Sequence, residues 1–215
     1  MNNKREVHSS VKYESLIEKR REQMIRGAVT LFKEKGFHRT TTREIAKAAG
    51  FSIGTLYEYI RTKEDVLYLV CDSIYDEVNA RLDSLETEKG TVEVLVKALE
   101  HYYGLVNDMQ DEFVVMYQES KSLPKDALQY VLKKELEMVS LFERILTECA
   151  ESGELELTPK QITLAAHHLF VQGQMWAFRR WAFGEFTIEE FIQHQTQFLL
   201  QGLNGEKILK QEANI

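Results

Sequence analysis

Two cysteines, two prolines and eleven glycines are all that this 215-residue chain holds of the residues that staple, break or loosen a backbone. Cys71 and Cys149 stand far apart, with no CxxC spacing or His-rich neighbourhood, so neither a disulfide framework nor a metal site is expected and both read as buried thiols. The scarcity of proline and glycine excludes a fold of many short strands joined by tight turns, and the recurrence of Leu, Glu, Ala, Lys, Gln and Met favours long helices. No apolar run approaches the roughly 18 residues of a membrane span, and the opening MNNKREVHSS lacks the apolar core of a secretory signal. The expectation is a cytoplasmic protein with no membrane partner. A hydrophobic content of 44% suffices for a real core, so the fold class is read as all-α with about nine helices.

Charge divides the chain. The net charge of −7 conceals 14 Lys and Arg against 7 Asp and Glu in residues 1–63, a net of +7, and 13 against 27 in residues 64–215, a net of −14. The two segments are built for different partners. Residues 1–12 read as a flexible basic arm, 13–66 as a small helical domain, 67–205 as a larger acidic one and 206–215 as a polar tail.

Helical spacing places Met24, Ile25, Ala28, Val29 and Phe32 on one stripe of a first helix that Gly36 ends. Thr41 and Glu44 form a capping-box pattern ahead of Ile45, Ala46 and Ala49. A Gly50-Phe51-Ser52 turn then leads into a second short helix over residues 53–60 with Ser52 as its cap, and Thr62 with Asp65 opens a long fourth helix running towards Leu85. Glu88, Lys89 and Gly90 read as its exit loop. Two short helices joined by a tight glycine turn are the geometry that seats one helix in a DNA major groove.

The string TTREIAKAAGFSIGTLYEYIRTKEDVL, residues 41–67, resembles the DNA-binding signature of the TetR family of bacterial regulators, and IRGAVTLFKEKGFHRTT upstream fits that family's first helix. Ile60 stands where the family usually has Phe, an exchange that keeps an apolar core role. The resemblance implies that Thr42 and Arg43 touch phosphate and a base edge, and that Ser52, Ile53, Gly54 and Thr55 meet bases. It also implies that Tyr57 and Tyr59 donate to phosphates, and that Lys63 adds a charge-assisted phosphate contact at the positive end of the fourth helix. The partner is double-stranded operator DNA.

Beyond Thr91 the pattern predicts five further helices, with breaks near 108–111, 122–124, 152–153 and at Gly184. Pro124 and Pro159 sit at helix starts, Thr158 is a cap, and Thr187 with Glu190 is another capping box. The resemblance implies dimerisation through the last two helices, read here as about 159–183 and 187–202. Ile162, Ala166, Phe170, Gly173, Trp176, Phe191, Gln195 and Phe198 are the expected homodimer interface, with Gly173 allowing close approach. Dimerisation also lengthens a short readout, so a near-palindromic operator is expected.

Tyr102, Tyr103, Met109, Phe113, Met116, Tyr117 and Phe142 form a mixture able to line an apolar effector cavity, against the alternative of ordinary core. The string QGQMWAFRRWAFGEFTIEEF, residues 172–191, is similar to TetR-type regulators of fatty-acid and acyl-CoA metabolism, which implies a fatty acid or acyl-CoA as small-molecule effector. Arg179 would then bind its anionic group, with structural ion pairing as the competing role. A repressor released by that ligand is the leading reading. An efflux-gene repressor induced by cationic compounds, using Glu119 or Glu135, is a second, and a helical enzyme or scaffold with an incidental helix-turn-helix a third. Adjacent His167 and His168 diverge in azimuth and do not chelate one metal as an i, i+4 pair would. With no Ser/His/Asp arrangement, nucleotide loop or paired carboxylate singled out, no catalytic residue or cofactor is assigned.

Overall fold

Apolar residues recurring at helical spacing, capped by Thr and Ser and ended by Gly, give helices throughout. In the computed structural model, residues 7, 9–82 and 90–212 are described, 204–212 by backbone alone. Among them are α1 Glu14–Lys35, α2 Thr42–Ala48, α3 Ile53–Tyr57, α4 Lys63–Leu82, α5 Val92–Asp108, α6 Gln110–Glu119, α7 Lys125–Glu151, α8 Pro159–Phe178 and α9 Ile188–Glu212. A 3₁₀ turn covers Ser120–Ser122 and no strand occurs among the described residues. The predicted exit of α4 at Leu85 to Lys89 lies outside the described residues. No described helix is long and apolar enough to cross a membrane.

Two compact units form, and they do not follow chain order. One takes the described residues up to Asp76 together with Asp111–Lys134, and the other takes Glu77–Gln110 together with Glu135 onward. The expected boundary at 66–67 falls inside α4.

The first unit is centred on Met24, Ala28, Val29 and Phe32 of α1, Ile45 and Ala46 of α2, and Leu56 of α3, all buried. Each large apolar side chain so removed from water contributes about 1.5–3 kcal/mol. Gly27 lets α1 and α2 meet, since a Cβ there would stand 3.0 Å from that of Ala48. In α4, Thr62 and Asp65 cap the start as expected, Asp65 Oδ2 accepting from the Thr62 amide at 2.9 Å.

In the second unit α5 packs against α8 and α9. The buried Tyr102 and Tyr103 hydroxyls donate to the Phe170 and Leu169 carbonyls, each at 3.2 Å, and burial keeps both phenols neutral by raising their pKa values. Helix α8 is shorter than predicted. It stops at Phe178 because the chain turns back to stack Phe183 on Trp176, with Arg180 lying 4.5 Å over the same indole and donating to the Phe183 carbonyl at 2.6 Å.

Candidate functional site

The short helices α2 and α3 are fixed at both ends. Thr41 accepts from the Glu44 amide while the Glu44 carboxylate accepts from the Thr41 amide at 2.9 Å, a capping box, and Ser52 accepts from Thr55 at 3.0 Å. Such caps are each worth about 1 kcal/mol. Lys35 pairs with Glu44 at 2.5 Å, and its hydrogen bond, with those from Thr41, holds that carboxyl down to about 2. Between the helices Gly50 takes φ +79°, the left-handed turn that L side chains adopt only with strain.

This packing leaves one polar face outward. Arg43, Ser52, Gly54 and Tyr57 are exposed, and Thr42, Ile53, Thr55 and Lys63 are half-buried. The Thr42 hydroxyl lies 3.1 Å from the Tyr57 hydroxyl, which ties the start of α2 to the end of α3. Gly54 has no reason inside the protein to be glycine. Its backbone is not in the left-handed region, and a Cβ would meet only Ser52 Oγ, at 3.7 Å.

Three expectations change here. Tyr59 is 3% exposed and belongs to the core, so it does not share the outward face with Tyr57; two positions along a helical turn put the rings on different sides. Lys63 turns its ammonium inward. Nζ donates to the carbonyls of Phe37, His38 and Thr40 at 2.9, 3.2 and 3.1 Å and sits 4.3 Å over the Phe37 ring, which engages all three of its donors. The segment before α1 is not free along its whole length. Val7 is buried with its carbonyl held by Arg21 at 2.5 Å, and the Ser9 hydroxyl and Ser10 amide donate to the Glu58 carbonyl at 3.1 and 2.8 Å, satisfying the end of α3. Residues 1–6 and 8 of the predicted arm lie outside the described residues.

Sequence reasoning missed what holds the α1–α2 loop. Beside Lys63, Glu119 accepts from the Phe37 amide at 3.1 Å and Ser122 bonds His38 at 3.3 Å. These contacts join residues about 80 positions apart, and no local spacing announces them.

Residues 24–68 match the family described as bacterial regulatory proteins, tetR family, and residues 88–203 match the tetracyclin repressor-like C-terminal domain. The chain belongs to the TetR family. It is a helix-turn-helix transcriptional regulator. The HTH-type transcriptional regulator HbdR of Aromatoleum sp. (strain CIB) is 28% identical over 203 residues, covering 94% of this chain and 88% of that protein. The fatty acid metabolism regulator protein of Bacillus subtilis (strain 168) is 27% identical over 135 residues, covering 62% and 70%. A solved TetR/AcrR-family regulator from Thermobifida fusca superposes with a TM-score of 0.65 at 28% identity, covering 86% of this chain and 98% of that one.

In this TetR-family chain the residues expected to line a cavity are not all together. Tyr102, Tyr103 and Phe142 share an aromatic cluster in the second unit, with Phe170 stacked on Tyr102 at 5.3 Å. Phe113 and Met116 are buried in the first unit instead, because α6 packs there. Tyr117 is exposed, Met109 is half-buried at the cap of α5, and Arg179 is exposed over the Trp181 ring at 4.9 Å. The two tyrosine rings fill the space beside Gly173, where a Cβ would stand 2.6 Å from Tyr103.

Most of the expected interface is core. Ile162, Ala166, Phe170, Gly173, Trp176 and Phe191 are buried within the chain, so these residues do not form the surface that meets a partner, and the close approach at Gly173 is to α5. Apolarity marked the face turned inward. Gln195 is half-buried and Phe198 is exposed, as are Leu164, His168 and Val171 of α8, which follow a 4-3 spacing along one outward stripe.

Gln174 is the residue of α8 that apolar periodicity hid. It lies on the inward face between Phe170 and Ala177 and is buried, and its amide stands against the Tyr102 hydroxyl and the Glu135 carboxyl, where its hydrogen bonds partly offset the rise that burial gives both pKa values.

Proposed function

We propose that this protein is a repressor that binds a near-palindromic operator as a homodimer in the cytoplasm and is released by an apolar, acyl-type ligand. The DNA half is carried by the outward face of α2 and α3. Thr42, Arg43 and Tyr57 are read as phosphate and edge contacts, with Ser52, Ile53 and Thr55 against bases and Gly54 permitting close approach. The joined Thr42 and Tyr57 hydroxyls support this, since the pair presents two short polar groups at one point of the helix-turn-helix. Dimerisation is assigned to the outward stripe of α8 with Phe198 of α9, replacing the buried residues of the sequence reading.

The acyl reading is supported by the relative from Bacillus subtilis whose name is fatty acid metabolism regulator protein, together with the aromatic cluster around Tyr102. Of the two acids considered for cationic inducers, Glu119 is engaged by the Phe37 amide, which disfavours that reading in its case. Because α4 belongs to one unit up to Asp76 and to the other from Glu77, a change in the second unit has a continuous helix through which to reach α3. A ligand that binds the DNA-incompetent state about 100-fold better lowers operator affinity by the same factor, about 2.7 kcal/mol.

The test is a gel shift with genomic fragments at physiological salt, repeated with decanoyl-coenzyme A. A specific shift abolished by the acyl-CoA supports the reading. A shift that the acyl-CoA leaves unchanged overturns the effector class, and no specific shift overturns the DNA-binding role.

A further inference from the structure

Two adjacent arginines of α1 leave the helix on different sides, as neighbours about 100° apart must. Arg21 turns to the body of the first unit, where its Nη2 donates to the Val7 carbonyl at 2.5 Å and its charge faces Asp72 and Asp65 of α4. Arg20 reaches instead to the turn between α2 and α3. Its guanidinium lies 4.9 Å from the centre of the Phe51 ring, and Nη1 donates to Gln23 Oε1 at 3.1 Å. Phe51 is held in that turn by its amide, which donates to the Ala46 carbonyl at 2.8 Å, and the next residue is Ser52, the exposed cap of α3. Helix α1 thus sets a cation against the segment that opens α3.

The protein does not neutralise that cation. Arg20 has no ion pair among the described residues, whereas Arg26 pairs with Glu22 at 3.9 Å, Lys33 with Asp111 at 2.6 Å and Lys35 with Glu44 at 2.5 Å. It is half-buried, its Nε is out of water without a hydrogen-bond partner, and its Nη2 donates to nothing among the described residues. Stacking on Phe51 uses the face of the guanidinium and leaves its edge, where the N–H groups point, for an acceptor. A partly desolvated cation with no counter-charge attracts an incoming anion more strongly than a fully hydrated one does.

We propose that Arg20 is a further DNA contact, a phosphate ligand supplied by α1 from outside α2 and α3, with Phe51 and Gln23 fixing the direction of its guanidinium. This rests on the DNA-binding reading above and extends it to a residue that carries no base recognition. Arg20 stands beside the start of α3 rather than on it, so while α3 occupies the groove the bordering strand is what its side chain meets, and that strand presents phosphate oxygens. The contact adds affinity for any sequence, and it marks α1 as part of the interface.

The experiment measures binding of the full chain to a duplex that the wild type selects from genomic fragments and to an unrelated duplex of equal length, between about 50 and 200 mM salt. Arg20→Met, which keeps an apolar stem against Phe51, should weaken both about tenfold and make the slope of log K against log salt shallower by about one. Arg20→Lys should recover the slope, since the charge is kept, and only part of the affinity, since an ammonium lacks the planar fork. Arg21→Met is the structural contrast, and should lower the melting temperature more than Arg20→Met does while keeping the wild-type slope. If Arg20→Met fails to fold, Arg20→Gln removes the same charge and is read in the same way.

An unchanged slope in the folded, uncharged Arg20 variant overturns the inference. So does a loss of affinity confined to the selected duplex, which would make Arg20 a brace for α3 and not a phosphate ligand. In either case a specific shift by the wild type leaves the DNA-binding reading standing. If the wild type selects no duplex, both fall together.

Discussion

The hydroxyls of Thr42 and Tyr57 lie 3.1 Å apart, one at the first residue of α2 and the other at the last of α3. The pair sits on an exposed face and contributes little to stability. Tyr57→Phe should therefore leave the melting temperature within a degree or two and weaken operator binding for all sequences alike, as loss of a phosphate contact does. Tyr59→Phe, altering a ring that is buried, should leave operator affinity unchanged. A titration of both variants on one operator fragment and one unrelated fragment separates them.

Gly54→Ala gives the cleanest contrast between folding and binding. An added methyl meets only Ser52 Oγ at 3.7 Å, and alanine is the better helix former by up to about 1 kcal/mol. Chemical denaturation should show equal or greater stability. Operator affinity should fall at least tenfold, because the methyl occupies the space where DNA approaches.

Lys63 separates positioning from contact. With its three donors on the carbonyls of Phe37, His38 and Thr40, Lys63→Met should destabilise the first unit by about 1.5–3 kcal/mol, the range for hydrogen bonds from a charged group. Operator binding should weaken with it, while the dependence of log K on log salt keeps its slope. A slope shallower by about one would instead assign Lys63 to a phosphate.

The fate of Lys63 shows where sequence reading stops. Caps at Thr41, Ser52, Thr62, Thr158 and Thr187 and the Gly50 turn were legible, because each depends on residues within four positions of one another, whereas the end of α8 at Phe178 was not. The partners of Lys63, Glu119 and Gln174 were not, since they are set by packing of distant segments. The apolar face of α8 was found correctly and assigned to the wrong neighbour, while of the α9 residues expected beside it Phe191 is buried and Phe198 exposed. Hydrophobic periodicity says that a face is buried and does not say against what.

Glu44 sets an acid limit on the start of α2. Its carboxyl is held down to about 2 by hydrogen bonds from Lys35 and Thr41, below the ordinary value of 4.5, so its contribution is complete above 4.5 and is lost as pH falls towards 2. Amide exchange at Thr41 and Glu44 should stay slow down to about pH 4 and accelerate below it. In Lys35→Met the acceleration should begin at higher pH.

On α8 the two faces predict opposite phenotypes. Gly173→Ala forces a methyl within 2.6 Å of the Tyr103 ring and should destabilise the second unit by about 1–3 kcal/mol. Leu164→Glu and Val171→Glu alter residues 71% and 55% exposed and should leave the fold intact. Sedimentation should show these two variants as monomers and the wild type as a dimer.

The central claim is that the outward face of α2 and α3 reads operator DNA, and footprinting on selected genomic fragments tests it most directly. At physiological salt the wild type should protect a near-palindromic site whose half-sites lie about one DNA turn apart or somewhat more, and Arg43→Ala and Tyr57→Phe should lose that protection while remaining folded. Protection that is absent at every fragment, or that survives both substitutions unchanged, would contradict the account.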